Sequence, residues 1–424
     1  MTALAAAGLL LGTAACNRAG LNANNRTGST QLEDRPDRTA DNVRVPETND
    51  QPTSAAVRGY VFQPAQVDAT DERVRQLNVP DGFTIVKFAE NLGKPRMLTV
   101  SDRGNVYVAD REAGTVTLLR DTNNDGRADD RKVVAKIKDA HGLTIHDGKL
   151  YVVTITEVYA VPMQNDGTLG EPKRLISDLP DGGQHPNRTI AFGPDNKMYI
   201  TVGSTCNACV EPNDEHATVL RANADGSNRT IYAKGLRNTI GFGWHPQTKE
   251  LYGFDHGIDW LGDDENQEEF NLIREGAHYG WPHVYENGKY NPYPRPKGDT
   301  TYQQFAAKTT NPLLLYKAHS APLGMVFYTP RDGATARFPR DYENDAIVTM
   351  RGSWNRSNPS GYNLVRVHFE NGKPTRITEF VTGFLTDNNR AQFGRPVGIA
   401  QHPDGSLLFT DDTNGVMYRV AYRQ

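Results

Sequence analysis

The stretch NKMYITVG (196–203) decides the fold, because five other segments of the chain repeat its pattern. The other copies are GNVYVAD (104–110), GKLYVVT (148–154), KELYGFD (249–255), NDAIVTM (344–350) and GSLLFTD (405–411). Each copy is a short run rich in Val, Ile, Leu and Tyr that is entered through a turn, which is typical of a β-strand.

A second strand follows every copy, and a third strand precedes it. The following strands are TVTLLR (115–120), EVYAVPM (157–163), TVLRA (218–222), EFNLI (269–273), YNLVRVHF (362–369) and GVMYRVAY (415–422). The preceding strands are MLTV (97–100), LTIH (143–146), TIAF (189–192), TIGF (239–242), LGMVF (323–327) and VGIA (397–400). Six units of three or four strands predict an all-β, six-bladed β-propeller, because a single blade cannot bury both of its faces. A pair of β-sandwiches is the alternative, but it would not repeat six times in phase.

The chain ahead of the repeats divides into two parts. Residues 1–16, MTALAAAGLLLGTAAC, are small and apolar like an export signal, and Cys16 stands where a bacterial lipoprotein is acylated. Residues 17–58 contain no aromatic residue and are polar, which predicts a disordered tether. We therefore expect a propeller over 59–424 in an exported or periplasmic bacterial protein that is lipid-anchored through Cys16.

The charge balance limits the possible binding partners, and the cysteine spacing indicates a disulfide. The 424 residues include 47 basic and 51 acidic ones, with a formal net charge of −4, which argues against nucleic acid as a partner. Membrane contact is expected only through the N-terminal anchor. Cys206 and Cys209 form a CNAC segment without a second CxxC, so an exported protein favours a local disulfide over a metal site here.

Arg or His stands just before the first strand of every unit. These residues are Arg96, His141, His185 with Arg188, Arg237 with Asn238, His319 and Arg395. In a propeller these positions lie near the axis, and none of them is Asp or Glu. One such residue usually makes a surface hydrogen bond, but six at one end of a channel repel one another unless an anion binds. The pattern predicts a polyanionic ligand on the axis, with a histidine as proton acceptor beside it.

Two acidic segments are candidate calcium sites. Segment 255–273, DHGIDWLGDDENQEEFNLI, is dense in carboxylates, which Ca²⁺ prefers, although a solvated acidic loop is the alternative. Segment 121–130, DTNNDGRADD, places oxygen side chains at Asp121, Asn123, Asp125 and Asp129, like the first half of an EF-hand loop. Position 12 of that loop is Lys132 rather than Glu, so a plain hairpin turn is equally open.

Several strings resemble the soluble quinoprotein sugar dehydrogenases, in particular the sorbosone or aldose sugar dehydrogenase branch. They are HPNRTIAFGPDNKMYITVGS (185–204), GLRNTIGFGWHP (235–246), DHGIDWLGDDE (255–265), EEFNLIREGAHYGWP (268–282), AHSAPLGMVFY (318–328) and GRPVGIAQHPDG (394–405). The resemblance implies a six-bladed propeller that uses pyrroloquinoline quinone (PQQ) and Ca²⁺. It also implies oxidation of an aldose or related, sorbosone-like sugar by hydride transfer to PQQ, with an external or respiratory electron acceptor.

The resemblance also implies roles for individual residues. His185, eight residues ahead of the GPD turn, matches the catalytic base, and Arg237 with Asn238 matches the pair beside the quinone, where Arg237 would polarise it. The cofactor calcium would be held by the carbonyl groups of Gly257 and Ile258, and a structural calcium by Glu268 and Glu269. The remaining expected cofactor contacts are Arg96, His141, His319, Ser320, Arg351 and Arg395. Three family features differ here: a second arginine near Arg395 is missing, Arg351 replaces a lysine, and a blade-two glutamine has no counterpart except His141.

Two other functions stay open at this stage. A calcium-dependent lactonase-type hydrolase would use the same fold, but it needs carboxylate and amide ligands on the axis, where this chain has Arg and His. A non-catalytic binding propeller of the cell envelope is the second alternative. Aromatic residues between the fourth and fifth units would form a rim that stacks on a sugar, and ordinary loop packing is an equal alternative. They are Trp281, Tyr285, Tyr290 and Tyr293.

Overall fold

The computed structural model describes residues 59–423, together with the two-residue strand β1 (Thr30–Gln31). The predicted export signal, Cys16 and nearly all of the predicted tether lie outside the described residues. These assignments and the domain limits therefore stay predictions.

The regular secondary structure of the described chain is almost entirely β-strand. It begins with β2 (Tyr60–Val61), β3 (Ala65–Gln66), the helix α1 (Asp71–Arg75) and β4 (Phe83–Ala89). The first two blades are β5 (Pro95–Val100), β6 (Val106–Asp110), β7 (Thr115–Arg120) and β8 (Asp130–Lys136), then β9 (Gly142–His146), β10 (Lys149–Val153), β11 (Val158–Pro162) and β12 (Lys173–Ile176). The third blade is β13 (Thr189–Phe192), β14 (Met198–Val202), β15 (Thr218–Ala222) and β16 (Thr230–Lys234).

The fourth blade carries an insertion before its last strand. It begins with β17 (Phe242–Trp244), β18 (Leu251–Asp255) and β19 (Glu268–Leu272), and the insertion holds β20 (Val284–Tyr285), β21 (Lys289–Tyr290) and α2 (Tyr302–Ala306), after which β22 (Leu314–Tyr316) completes the sheet. The fifth blade is β23 (Pro322–Phe327), a 3₁₀ turn (Arg340–Tyr342), β24 (Ala346–Met350), β25 (Asn363–Glu370) and β26 (Lys373–Val381). The chain ends with β27 (Leu385–Thr386), β28 (Ala391–Gln392), β29 (Pro396–Gln401), β30 (Leu407–Asp411) and β31 (Val416–Tyr422).

Six antiparallel four-stranded sheets form the blades, and the predicted six-bladed propeller is confirmed. The six sequence copies are the second strands β6, β10, β14, β18, β24 and β30. The sixth sheet has the order β29-β30-β31-β4, so its outermost strand comes from the N-terminal side of the repeats. Strands β31 and β4 pair antiparallel from Met417 opposite Ala89 to Tyr422 opposite Phe83, which closes the ring of blades.

Apolar side chains lie between neighbouring blades. Tyr151 and Val153 of the second blade, for example, are buried against Ile200 and Val202 of the third. Each such buried side chain contributes roughly 1.5–3 kcal/mol relative to an exposed one, so adjacent blades stabilise each other. A smaller cluster lies where the inner strands converge, and its members come from four blades: Met97, Ile240, Leu323 and Val397.

The antiparallel register brings two sets of residues to one face of the propeller. Pro396, at the start of the innermost strand of blade six, lies opposite Asp411 at the end of the second strand. The same relation holds for Pro95 with Asp110. Residues that precede a first strand and residues that follow a second strand therefore share one end of the axis.

Over residues 59–423, the structure has no helix long and apolar enough to cross a membrane.

Candidate active site on the propeller axis

A cavity of about 700 Å³ opens at that end of the axis. Its basic wall residues are Lys94, Arg96, Arg111, Arg237, Arg351 and Arg395, and its acidic ones are Glu112, Asp139, Asp259 and Asp412. Leu323, from the apolar cluster of the inner strands, contributes to its wall. The cavity therefore combines an apolar patch with an excess of positive charge, which favours an anionic ligand.

His185 lies in the cavity wall with a defined tautomer. Its Nδ1 lies 2.8 Å from the Ser204 hydroxyl and 3.0 Å from the Ser204 carbonyl oxygen. The hydroxyl donates its own hydrogen to the Cys206 carbonyl (2.7 Å), so both Ser204 oxygens accept from Nδ1–H. The neutral ring then has its lone pair at Nε2, which has no hydrogen-bond partner within the described chain.

The charge state of His185 follows from its surroundings. Burial, and then the charge of Arg237, lower the pKa of His185 from 6.5 to about 2. The imidazole is therefore neutral at physiological pH and offers Nε2 as a proton acceptor. Arg188, which the sequence placed beside it, is fully buried and donates to the His185 carbonyl (2.6 Å), so it supports the backbone here.

Asp255 shapes the turn that carries Arg237 and Asn238. Its carboxylate accepts the backbone N–H of Arg237 (2.8 Å) and that of Asn238 (2.8 Å), as well as the Thr239 hydroxyl (2.8 Å). Burial raises the pKa of Asp255 to about 6. Gly203 lies against this turn, because a Cβ there would be 2.6 Å from the Cβ of His185 and 2.7 Å from Oδ1 of Asn238. Only glycine permits that approach.

The Arg237 guanidinium is held by an ion pair and by one loop residue. Its Nη2 donates to Asp259 (2.6 Å) and to Oδ1 of Asn207 (2.7 Å), and its Nε donates to the Asn207 carbonyl (2.9 Å). The neighbouring Asn238 is buried, and its Oδ1 has no partner in the structure. A buried amide oxygen without a donor is costly, but this Oδ1 packs against Gly203, so the amide atom that could donate to a ligand in the cavity is Nδ2.

The opposite side of the cavity holds three arginines around one carboxylate. Arg96 forms an ion pair with Asp412, and Nε of Arg351 donates to the same carboxylate (3.0 Å). Arg395 differs, because its Nη2 and Nε donate to the carbonyl oxygens of Gly352 (2.6 Å) and Arg351 (3.1 Å). Burial, and then the charge of Arg351, lower the pKa of Arg395 to about 10. An anion bound near Arg395 would offset the free-energy cost of burying its positive charge beside Arg351.

Asp412 and Asp259 correct the expectation that the axial positions carry no acidic residue. Both follow second strands, β30 and β18, rather than precede first strands, and the antiparallel register brings them to the same face. They neutralise part of the predicted repulsion among the arginines. His256 also follows β18 and lines the cavity, where its Nε2 contacts the Pro322 carbonyl (2.5 Å).

Three expected cofactor contacts do not line the cavity. The Nδ1 of His141 donates to the Arg188 carbonyl (2.8 Å), and the ring is buried. The ring of His319 bonds to the Gly262 carbonyl (2.7 Å) and to Asn355 (3.1 Å). Ser320 is fully buried and donates to the Lys317 carbonyl (2.8 Å). The sequence placed these three residues correctly in the repeat. Their side chains, however, form hydrogen bonds with nearby carbonyl groups and with Asn355 instead of facing the cavity.

The aromatic rim was also misplaced. Trp281 and Tyr285 are buried, and Tyr290 stacks on Tyr302 at 5.2 Å. None of the four predicted rim residues lines the cavity. Instead, Trp354 lies in the cavity wall and meets Trp260 edge to face at 5.3 Å. These two rings are 37% and 44% exposed, unlike the other two tryptophans of the chain.

The residues expected to hold calcium form a fixed loop. Glu268 accepts the N–H of Gly257 (2.9 Å) and that of Ala321 (2.8 Å), and the N–H of Ile258 donates to Asn266 (3.0 Å). No described donor bonds to the carbonyl oxygens of Gly257 or Ile258, which leaves both available to a cation. The next residue, Glu269, is also buried, but its carboxylate accepts the N–H of Glu286 (2.6 Å) and not an N–H of the Gly257–Ile258 loop.

The EF-hand-like segment uses its oxygens internally. Asp121 accepts the N–H groups of Asp125 (3.1 Å) and Gly126 (2.8 Å), and Asn123 also accepts the N–H of Asp125 (2.9 Å). Asp129 accepts the Thr122 hydroxyl (2.7 Å). These contacts shape the turn and are compatible with both alternatives, so the calcium site at this segment stays a prediction.

Over residues 59–423, one group of at least three His, Cys, Asp or Glu side chains has converging ligand atoms: Cys206, Cys209 and Glu211. The two cysteines are bonded to each other, so the predicted disulfide is present in the structure.

The fold and the cavity together define a six-bladed propeller whose axial cavity carries an excess of positive charge beside a neutral imidazole. The chain belongs to the TrAA12-like family, whose model matches residues 77–423. It is similar to an uncharacterized protein of Borreliella burgdorferi, at 31% identity over 377 residues that cover 84% of this chain and 93% of that one.

Relatives with a named activity extend this comparison. The pyrroloquinoline quinone-dependent pyranose dehydrogenase of Coprinopsis cinerea is 25% identical over 417 residues, and the match covers 81% of this chain and 54% of that enzyme. The chain thus spans about half the length of the fungal protein. The calcium structure of the Trichoderma reesei family AA12 enzyme shares the fold, with a TM-score of 0.70 at 21% identity over 82% of this chain and 97% of that one. The kinship with PQQ-dependent sugar dehydrogenases that the sequence predicted is confirmed.

Proposed function

We propose that this chain is a PQQ-dependent dehydrogenase that oxidises an aldose or related, sorbosone-like sugar. The observation that carries the proposal is the pairing, in one cavity, of the free Nε2 of His185 with the arginines Arg237, Arg351 and Arg395. A proton acceptor and a set of cations are what oxidation of an alcohol with an anionic cofactor requires.

The residues of the cavity fit PQQ, which carries three carboxylates. Arg395 is a buried cation bonded to carbonyl oxygens, and Asn238 is a buried amide of the cavity wall whose Nδ2 group can donate to a quinone oxygen. Arginine presents several N–H groups in a planar fork that suits carboxylates. We assign Arg395, Arg351 and Arg96 to the carboxylates, and Arg237 with Asn238 to the quinone oxygens.

PQQ supplies a two-electron acceptor when it is bound. His185 Nε2 takes the proton of the sugar hydroxyl, and the Ser204 oxygens hold Nδ1–H so that the ring keeps this tautomer. Arg237 is kept in place by Asp259 and provides positive charge where negative charge develops. The cations that lower the pKa of His185 are offset by an anionic ligand, which makes the imidazole a stronger base in the loaded site.

Calcium is the second expected cofactor. The carbonyl oxygens of Gly257 and Ile258 accept no hydrogen bond within the described chain, and Glu268 fixes the loop that presents them. Hard oxygen ligands of this kind favour Ca²⁺. Glu268 and Glu269 are both buried, with pKa values raised to about 8 by burial, and a nearby cation would favour their ionised form.

The sugar would bind at the mouth of the cavity. Trp354 and Trp260 present exposed indole rings there, and such faces stack on the apolar side of a pyranose. An external or respiratory acceptor would then reoxidise the enzyme. We also propose that the chain is exported, periplasmic and lipid-anchored through Cys16, as its first sixteen residues predict.

Purified protein with added PQQ and excess Ca²⁺ tests the proposal. We expect a cofactor absorbance band and dye reduction with some members of a panel of aldoses. His185→Ala should retain PQQ binding and lose turnover by about 10²–10⁴-fold. His146→Ala is the matched control, because His146 stacks on Phe192 and does not line the cavity.

Two results would redirect the assignment. Failure of PQQ to bind at micromolar concentration would refute the dehydrogenase. Calcium-dependent hydrolysis of lactones by the quinone-free protein would favour the lactonase-type hydrolase, and no activity of either kind would favour the binding propeller.

A further inference from the structure

The loop that follows β14 connects the two central residues of the site. It contains Ser204, which holds His185, and Asn207, which holds Arg237, and the disulfide Cys206–Cys209 closes a small ring around Asn207. We propose that Asn207 is a positioning residue for Arg237 and that the disulfide keeps it in place. This inference rests on the proposed function and names a residue that adjusts the affinity of the site for PQQ.

Asn207 accepts four hydrogen bonds. Its side-chain Oδ1 accepts from Arg237 (2.7 Å) and from the N–H of Asp259 (2.9 Å). Its backbone carbonyl accepts from Nε of Arg237 (2.9 Å) and from the indole N–H of Trp281 (3.0 Å). One residue thus orients the arginine, the carboxylate partner of that arginine and a buried tryptophan.

The backbone just before Asn207 is held by neighbouring groups. The Cys206 carbonyl accepts from the Ser204 hydroxyl (2.7 Å), and Glu211 accepts both the N–H (2.8 Å) and the hydroxyl (2.6 Å) of Thr205. Gly183 packs so closely that a Cβ there would lie 2.4 Å from the Cα of Thr205. These contacts fix the loop up to Cys206, and beyond that residue the disulfide limits where the Asn207 carbonyl can point.

Reduction of the disulfide would remove that limit. A dithiol such as dithiothreitol gives two electrons and two protons to the sulfur atoms, and is itself converted to its cyclic disulfide, while Cys206 and Cys209 become thiols. The peptide between the cysteines then gains conformational freedom. We expect the Arg237 fork to lose its fixed direction, while the ion pair with Asp259 keeps its charge in the cavity.

The first experiment compares PQQ binding, with Ca²⁺ present, in wild type, the double variant Cys206→Ser/Cys209→Ser and Val210→Ala. Val210 is the matched control, because it lies in the same loop, is exposed and has no role in the site. The double variant should bind PQQ about 10-fold more weakly, since charge-assisted hydrogen bonds lose their geometry, and Val210→Ala should match wild type. Reversible reduction and reoxidation of folded wild type gives the same comparison if the double variant does not fold.

A double-mutant cycle with Arg237→Lys separates positioning from general destabilisation. Lysine keeps the charge but lacks the planar fork that bonds to Asn207 through both Nε and Nη2, so removing the disulfide in this background should change PQQ affinity by less than about twofold. Equal losses in both backgrounds would overturn the inference, as would wild-type affinity in the disulfide-free protein.

A readout without PQQ separates failure of this inference from failure of the proposed function. Trp281 donates to Asn207, so reduction should shift the intrinsic tryptophan emission of the apoprotein, and Trp281→Phe should abolish the shift. If wild type does not bind PQQ but the shift occurs, the proposed function fails and the positioning of this loop by the disulfide stands. Unchanged emission on complete reduction would overturn the inference by itself.

Discussion

Asp411→Asn is the change whose effect the structure defines most closely. Asp411 is fully buried, and it accepts the N–H of Arg395 (2.8 Å), of Thr413 (2.9 Å) and of Asn414 (3.2 Å). Burial raises its pKa from 3.8 to about 7, although these three N–H groups favour the carboxylate. The amide of Asn is neutral at every pH, and its Oδ1 can keep the bonds to Arg395 and Thr413.

The direction of the pH effect follows from that shift. A carboxyl whose folded pKa is raised holds its proton in the native state, so its contribution to stability is fully present below pH 3.8 and is lost as pH rises to about 7. The full loss is roughly 4 kcal/mol for a shift of about 3 pKa units, and about 2.5 kcal/mol of it falls between pH 5 and pH 9. The variant lacks this loss, so its free energy of unfolding relative to wild type should rise by about 2.5 kcal/mol over that range.

Urea denaturation at five pH values from 5 to 9, followed by circular dichroism at constant ionic strength, measures this difference. Asp225→Asn is the control, because the Ser227 hydroxyl and N–H lower the pKa of that exposed carboxyl, and its effect should not change above pH 5. A difference between Asp411→Asn and wild type that stays within about 0.5 kcal/mol across the series would refute the reasoning.

Three further predictions concern catalysis. Ser204→Ala removes the hydroxyl that accepts from His185, so kcat should fall about tenfold while the Kd of PQQ changes less than twofold. An unchanged kcat in dye-coupled assays would show that Ser204 does not orient His185. Trp354→Ala should raise KM for the sugar by about 5- to 30-fold with a smaller change in kcat, because a stacked ring contributes about 1–2 kcal/mol of binding free energy. An unaltered KM would contradict stacking at this residue. Chelation with EGTA should abolish dye reduction, and Ca²⁺ should restore it where Mg²⁺ does not; full activity of the metal-free protein would exclude calcium from the reaction.

The repeat made the architecture predictable. A strand whose pattern recurs six times identifies the second strands, and their neighbours in sequence are their neighbours in the sheets. Strand β4 could not be assigned to its blade in this way, because it pairs with β31 from the far end of the repeats. Local sequence patterns indicate that Phe83–Ala89 is a strand without indicating which sheet it joins.

The candidate site was predictable only in part. Arg96, His185, Arg237 and Arg395 stand just before the predicted first strands, and all of them reach the cavity, although the observed β5 already includes Arg96. The repeat places a backbone near the axis but does not determine where its side chain points, so His141 and His319 had the right phase and bond to carbonyl groups instead.

The acidic partners were missed for a different reason. Asp412 follows a second strand, and its place beside Arg96 becomes evident only when the antiparallel register of β29 and β30 is known. Asp259 lies in a segment whose many carboxylates suggested calcium. A comparison of the residues that follow the second strands would have identified Arg351 after β24, Asp412 after β30, and His256 and Asp259 after β18 as candidates for one site.

The shared sixth blade has a consequence for how the protein folds. Its outer strand β4 and the partner strand β31 stand on the order of 300 residues apart in the chain, so their pairing is far less local than the hairpins within each blade and forms more slowly. Until the two strands meet, β4 is an unpaired edge able to bond to the wrong strand. The ring of blades is therefore closed by a slow, non-local step, in the blade whose inner end carries Arg395 and Asp412.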